Sequence, residues 1–359
     1  MPLKLGITGL PNAGKTTLFN TLTGLAAKVS NFPFTTIESN HGIVPVPDSR
    51  PEELAKLVAA RTWANSTLEV VDIAGLIKDS HAGAGLGNQF LDNLRNVDAV
   101  IQVVRAFKNP EIVHPLGEVN PFEDIEIINY ELCLSDLNLI EKKIDKAKVN
   151  PEEKKVLEII KENLARGVPA RRVKIAEHFH EDASIFIGGL NLITAKPLFY
   201  IVNIYDKHPP DGATKAAFKK RAENEKVPIL FIHILFESEL NIFSPEEAAT
   251  LQKEAGLEKT LLELVIETSY HFLGLVTFLT YSANECKSWV IQKGKTALEA
   301  AAMIHSDMAK GFIKAEVISF EELKIIGSIH QAHSHGKIRL EGKNYFIQEG
   351  DVVHFKFNS

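Results

Sequence analysis

The chain has 359 residues, 45% hydrophobic and 24% charged, which supports a large self-sufficient core and is long for one domain. Its formal net charge of −6 excludes a protein coated in nucleic acid by bulk charge alone. Two distant cysteines, Cys133 and Cys286, build no disulfide framework, no apolar run is long enough to cross a bilayer, and the first strand leaves no room for a signal peptide, so a cytoplasmic protein that avoids membranes is expected.

Residues 3–8 read as a short buried strand and residues 17–25 as a helix. Between them, Gly9-Leu10-Pro11-Asn12-Ala13-Gly14-Lys15-Thr16-Thr17 fits G-x-x-x-x-G-K-[ST]. Glycines let such a loop curl so that several amides point at one anion, and the helix N-terminus adds its positive end. Asn12, Ala13, Gly14, Lys15, Thr16 and Thr17 are therefore candidate phosphate contacts, with the Thr16 hydroxyl placed to hold Mg²⁺.

The next segment, Asn31-Phe32-Pro33-Phe34-Thr35-Thr36-Ile37-Glu38, offers two threonines that can close over Mg²⁺, and the residues alone leave Thr35 and Thr36 tied. Leu68-Glu69-Val70-Val71-Asp72-Ile73-Ala74-Gly75 is an apolar strand ending in D-x-x-G. Asp72 is a candidate for the metal through water, and the Gly75 amide for the terminal phosphate. Three glycines follow in Gly83-Ala84-Gly85-Leu86-Gly87, as expected of a segment ordered by that phosphate and released on hydrolysis. Ras-like proteins place a glutamine directly after D-x-x-G to orient water; here Leu76 stands there, so another group must act.

From residue 128 to 144, Leu134, Leu137, Ile140 and Ile144 recur at helical spacing. Asn150-Pro151-Glu152-Glu153 then reads as a fresh helix start, with Val156, Ile159, Ile160 and Leu164 as its apolar stripe. The pair predicts a helical hairpin inserted into the nucleotide domain.

Residues 197–202 read as a buried strand leading into Asn203-Ile204-Tyr205-Asp206. Guanine-reading proteins use Asn-Lys-x-Asp at this point. Ile204 removes the lysine while Asp206 keeps the carboxylate, so the guanine pocket is incomplete and adenine is favoured. Residues 276–280 and 287–291 alternate like two strands, 297–308 reads as a helix, 336–347 as a hairpin and 352–357 as a last strand. Lys293, Lys295, Lys337, Arg339, Lys343 and Lys356 are candidates for an RNA-facing patch, and His330, His333 and His335 for an ordinary polar loop.

Taken together these motifs resemble the YchF or Obg-like ATPase family, within the translation-factor-related P-loop proteins. Val71-Asp72-Ile73-Ala74-Gly75-Leu76, residues 31–38 and 83–88, Lys310-Gly311-Phe312-Ile313-Lys314-Ala315-Glu316-Val317-Ile318-Ser319 and residues 336–358 carry the resemblance over nearly the whole chain. It implies a P-loop α/β domain with a mostly parallel sheet over 1–127 and 195–274, a coiled-coil-like helical insertion over 128–194, and a C-terminal TGS-like β-grasp module over 275–359. It also implies a slow ATPase able to use GTP that associates with ribosomes. A Mg²⁺-dependent monomer that docks on ribosomes or ribosomal RNA is expected.

By the same likeness Thr36 is the switch threonine and His114 the group that orients or deprotonates water; His81 is a second candidate that the family does not supply. In related potassium-activated switches an asparagine at the position of Asn12 ligates K⁺. Relatives tend to carry Glu where Asp206 stands, a small residue where His233 stands, and Val and Ser in place of Ala13 and Thr16. Asp206 thus keeps a GTP-preferring switch open as the alternative, and the missing glutamine keeps open a regulatory module with negligible hydrolysis. A small-molecule kinase shares the phosphate loop, but its acceptor pocket and lid arginines find no counterpart.

Overall fold

The computed structural model describes residues 3–29, 37–38, 41–73, 86–146, 151–173, 182–205 and 209–358. In chain order the first elements are β1 (Leu3–Thr8), α1 (Lys15–Val29), β2 (Ile37–Glu38), β3 (His41–Pro45), α2 (Arg50–Val58), β4 (Thr62–Ala64), β5 (Thr67–Asp72), α3 (Leu86–Arg95) and β6 (Ala99–Arg105). Then come α4 (Pro121–Lys146), α5 (Pro151–Ala165), α6 (Asp182–Gly189), β7 (Leu198–Asn203), α7 (Gly212–Glu225), β8 (Ile229–Ile232), α8 (Ile234–Leu240), α9 (Pro245–Glu254) and α10 (Leu261–Leu273). The chain ends with β9 (Leu275–Tyr281), β10 (Glu285–Gln292), α11 (Ala297–Ile304), α12 (Ser306–Lys310), β11 (Phe312–Ser319), α13 (Phe320–Ile326), α14 (Ile329–Ser334), β12 (Arg339–Glu341) and β13 (Asp351–Phe357). They form two compact units, one from Lys4–Ile43 and Glu69–Leu261, the other from Val44–Leu68 and Leu262–Ser359.

The first unit is built on a seven-stranded sheet of order β2-β3-β5-β1-β6-β7-β8. The β1–β6, β6–β7 and β7–β8 pairs are parallel, and the short β2–β3 pair is antiparallel. Every residue of β6 and β7 is buried, which explains why these strands read as unbroken apolar runs rather than as alternating ones. In a parallel sheet the carboxyl ends of the strands lie along one edge, where ligands gather. That edge receives the loop after β1, Asp72 at the end of β5, Arg105 at the end of β6 and Asn203 at the end of β7, with Arg105 and Asn203 register partners.

α4 runs 26 residues, longer than the 128–144 stripe predicts, because its start at Pro121 carries Glu123 and Asp124 at the positive end. The pairing of Glu141 with Lys161 at 3.1 Å, and the nearness of Tyr130 to Gly167, make α4 and α5 antiparallel. Cys133, Ile140, Val156, Leu157, Ile160 and Leu164 form their shared core. Asn150 lies outside the described residues.

The second unit carries a six-stranded mixed sheet of order β12-β11-β13-β9-β10-β4. Strand period two sends neighbouring residues to opposite faces. Phe278, Val317 and Val353 meet Ala297, Ala300 and Ala301 of α11, whose small side chains allow close packing. Leu279, Ile318 and Val352 meet Leu54 and Ala55 of α2 and Phe320 and Leu323 that open α13. The segment Val44–Leu68 belongs here because α2 covers this second face and β4 extends the sheet beside β10, in parallel.

Two local expectations differ. The helix expected over 297–308 breaks at His305, whose extended backbone (φ −157°) separates α11 from α12. The hairpin expected over 336–347 keeps only β12 as a strand. Its return limb instead bonds to the start of α11, with the Ala297 amide donating to Tyr345 at 2.7 Å and Ile347 donating to Lys295 at 3.0 Å.

Candidate nucleotide site

The loop after β1 is shaped by backbone conformations that side chains resist. Gly9 has φ +150°, and a Cβ there would sit 2.4 Å from the Val103 carbonyl oxygen. Gly14 has φ +105°, and its Cβ would sit 2.5 Å from Asn203 Nδ2. Asn12 takes φ 62°, a left-handed value that asparagine tolerates better than most residues. These features let the loop turn back over the N-terminus of α1.

Lys15 is 93% removed from solvent and its Nζ donates to the Leu10 carbonyl at 2.9 Å, so the lysine closes the loop on itself. Burial pulls its pKa down to about 8, with the Asp72 charge resisting. The Thr16 hydroxyl donates to Asp72 Oδ2 at 2.9 Å. Asp72 Oδ1 is buried and has no partner among the described residues. A hydroxyl oxygen and a carboxylate with a spare buried oxygen form a hard, oxygen-only donor set, which suits Mg²⁺. Thr17 follows in the first turn of α1, its carbonyl accepting from the Thr21 hydroxyl at 2.7 Å.

Asn203 reaches the loop from β7. Its side-chain amide donates to the Ala13 carbonyl at 3.0 Å, and its oxygen accepts from the Ile234 amide at 3.4 Å. The backbone of Ile204 is held by a 2.9 Å bond to Ile232. Beside it stand rings rather than a lysine stem: Tyr205 lies 5.9 Å from Phe107 and 5.3 Å from His233, which stacks on Phe236 at 6.0 Å. Thr36, Gly75, His81 and Asp206 lie outside the described residues.

His114 sits in the loop between β6 and α4 and is brought to the phosphate loop by its neighbour, since the Asn12 side-chain amide donates to the Val113 carbonyl at 3.0 Å. The ring itself is buried. Its Nε2 lies 3.1 Å from Asp124 Oδ2, and its Nδ1 accepts from the Leu116 amide at 3.3 Å. Burial pushes the Asp124 carboxyl above its ordinary range, while the histidine hydrogen bond opposes that.

Two residues of this neighbourhood escape a sequence reading. Arg105 is 2% exposed, and its guanidinium donates to Phe107 O at 3.1 Å, Ile112 O at 3.0 Å and Asn109 O at 3.2 Å. It staples the loop that carries His114. The available signal was an arginine ending an otherwise apolar strand. Asp124, in the first turn of α4, looks in the sequence like an ordinary helix-start acid.

In the second unit, four of the six basic residues grouped as an RNA-facing patch face carboxylates. Lys295 lies 2.7 Å from Glu299, Lys337 3.3 Å from Glu322, Arg339 3.6 Å from Glu341, and Lys356 3.4 Å from Glu316. The positive charge there is locally offset. Among the described residues no His, Cys, Asp and Glu cluster suits a metal, His330 and His333 included, and no helix is long and apolar enough to cross a membrane.

Comparison with known proteins agrees with this architecture. Residues 4–164 match the family model of a "50S ribosome-binding GTPase", and residues 275–358 match the C-terminal domain model of YchF GTPases, described as a protein of unknown function. The chain is 39% identical over 369 residues to the "Ribosome-binding ATPase YchF" of Bacillus subtilis, covering all of both chains. It is 40% identical over 366 residues to the protein of the same name from Haemophilus ducreyi, again over the full length of both. Among solved structures, the Schizosaccharomyces pombe YchF GTPase superposes with a TM-score of 0.82 at 32% identity, over 99% of this chain and 97% of that one. With its phosphate loop, its strand-end acid and its C-terminal sheet unit, the chain belongs to the YchF family of P-loop nucleotide hydrolases.

Proposed function

We propose that the protein is a Mg²⁺-dependent ATPase of the cytoplasm that acts as a monomeric switch on the ribosome and prefers ATP to GTP. The observation that carries the reading is the convergence of Thr16 and Asp72 at 2.9 Å beside the phosphate loop, with Asp72 Oδ1 left over. Thr16, Asp72 and the switch residue Thr36 would hold Mg²⁺, which when bound supplies positive charge to the phosphate oxygens. Asn12, Ala13, Gly14, Lys15, Thr16, Thr17 and Gly75 cradle the phosphates in this proposal. With its NH₂ committed to Val113, Asn12 retains one side-chain oxygen able to ligate K⁺. Equal turnover in KCl and NaCl would remove that second ion.

Asn203, Ile204 and Asp206 serve the base. Ile204, with the rings of Tyr205, Phe107 and His233 beside it, favours stacking on the purine over the lysine-and-carboxylate reading of guanine. His114 orients or deprotonates water. The ribosome as partner is what the names of the relatives from Bacillus subtilis and Haemophilus ducreyi support.

The test titrates labelled ATP and GTP side by side, with Mg²⁺ or EDTA, with and without ribosomes. Tighter ATP binding that needs Mg²⁺, and turnover raised by ribosomes, are the expected results. Tighter GTP binding overturns the base preference. Full affinity after Lys15→Ala overturns the site. A second reading, a binding module with negligible hydrolysis, is favoured by one observation: both ring nitrogens of His114 are engaged. Its signature is tight ATP binding with no turnover even on ribosomes.

A further inference from the structure

We infer that Asp124 is the positioning residue of the hydrolytic step: it holds the Nε2–H of His114, so that Nδ1, capped here by the Leu116 amide, is the atom that takes the proton of the attacking water. The inference rests on the reading of His114 given above and deepens it.

The argument starts from what each partner can do. A backbone amide only donates, so the 3.3 Å bond from Leu116 requires an unprotonated Nδ1. The ring proton then belongs to Nε2, which donates to Asp124 Oδ2 at 3.1 Å. The two side chains are 4% and 6% exposed, so water does not compete for that bond. Asp124 Oδ1 has no partner among the described residues, and the other charges felt at this carboxylate are Glu123 on its own helix and Arg105 on β6.

The two bonds to the ring are unequal. Asp124 stands in the first turn of the 26-residue α4, a rigid element. Leu116 stands in a turn closed by the Gly117 amide on the His114 carbonyl at 3.0 Å, is 44% exposed, and is followed by Gly117 at φ 86°. A charge-assisted bond to a helix outlasts a neutral bond to an exposed turn. The Leu116 side is therefore the one that opens.

With the cap released, the water oxygen bonds to the terminal phosphorus. The bond from that phosphorus to the bridging oxygen breaks, and its electron pair leaves on the nucleoside diphosphate. The proton passes to Nδ1 and later to the departing phosphate. Asp124 keeps the ring oriented and stabilises the imidazolium that forms, without itself being protonated.

The test reads the ring directly. ¹⁵N spectra of the full chain, with the His114 signals assigned by their loss in His114→Gln, show the Nε2–H tautomer at about pH 8, where an ordinary imidazole is neutral. Asp124→Asn presents an amide donor to Nε2, moves the proton to Nδ1, and lowers kcat about 10²–10³-fold, while nucleotide Kd changes less than about threefold. His114→Ala/Asp124→Asn turns over no more slowly than His114→Ala alone. An Nδ1–H tautomer in the unaltered protein overturns the inference and needs no variant that must fold. So does wild-type turnover by Asp124→Asn where His114→Ala is inert. Wild-type turnover by His114→Ala is a different failure, that of His114 as the water-activating group.

Discussion

The side-chain amide of Asn203 donates to the carbonyl of Ala13 at 3.0 Å, tying the end of β7 to the middle of the phosphate loop. The same side chain accepts from the Ile234 amide at 3.4 Å, so one buried residue braces two segments 190 and 31 positions away. Asn203→Ala leaves both backbone groups unpaired. Each orphaned buried group costs about 1–3 kcal/mol. The variant is expected to unfold at lower denaturant and to bind ATP about tenfold more weakly, measured by urea titration and fluorescent nucleotide binding. Unchanged affinity would make the brace irrelevant to the loop's shape.

Gly14→Ala attacks the same contact from the other side. Its Cβ would fall 2.5 Å from Asn203 Nδ2, at a φ of +105° that alanine strains to adopt. The loop must shift or the brace must break, at a cost of about 1–3 kcal/mol. Nucleotide binding is expected to vanish in calorimetric titration while the circular dichroism spectrum stays native. An Asn203→Ala background, which removes the obstructing atom, is expected to restore little, because the backbone strain remains.

Much of this arrangement was legible in the chain. Lys15 and Thr16 sit in a local pattern whose spacing alone dictates a curled backbone. The parallel sheet announced itself through continuous apolar runs such as Ala99-Val100-Ile101 and Tyr200-Ile201-Val202, all buried on both faces. The Asp124–His114 pair was not legible, because residues 10 apart meet only through the turn that opens α4. Nor was the grouping of α2 with the C-terminal sheet. Leu54 shares one buried cluster with Leu279 and Phe320, more than 200 positions away, and no local periodicity encodes such partners. The basic patch misled in the opposite direction. Lysines can be counted in a sequence, but the carboxylates that face Lys337 and Lys356 come from other elements.

Arg105 supplies a third prediction. Three carbonyls of one loop converge on its guanidinium, and lysine has no fork that spans them. Arg105→Lys keeps the charge and loses at least one of the bonds, each worth about 1.5–3 kcal/mol when the donor is charged. Amide exchange over residues 107–117 is expected to accelerate at least tenfold, and kcat to fall with it. Preserved protection with reduced kcat would instead place Arg105 in direct contact with the substrate.

Glu237 predicts how stability responds to pH. It lies on α8, 3% exposed, with burial pushing its carboxyl up to about 6 and the Leu261 amide opposing the rise. Its Oε2 has no partner among the described residues. In the unfolded chain the group releases its proton near the ordinary glutamate value of 4.5. Between these two values the folded state holds more protons than the unfolded one, so stability falls as pH rises through the window and stays reduced above it. A gap of about 1.5 pH units corresponds to about 2 kcal/mol. Glu237→Gln keeps an oxygen to accept from Leu261 and carries no charge at any pH. Urea titrations from pH 4 to 8 are therefore expected to show the variant level with the wild type at the acid end and about 2 kcal/mol more stable by pH 7. A gap that stays constant with pH would mean that the glutamine gains by packing, and that Glu237 titrates normally in the folded protein.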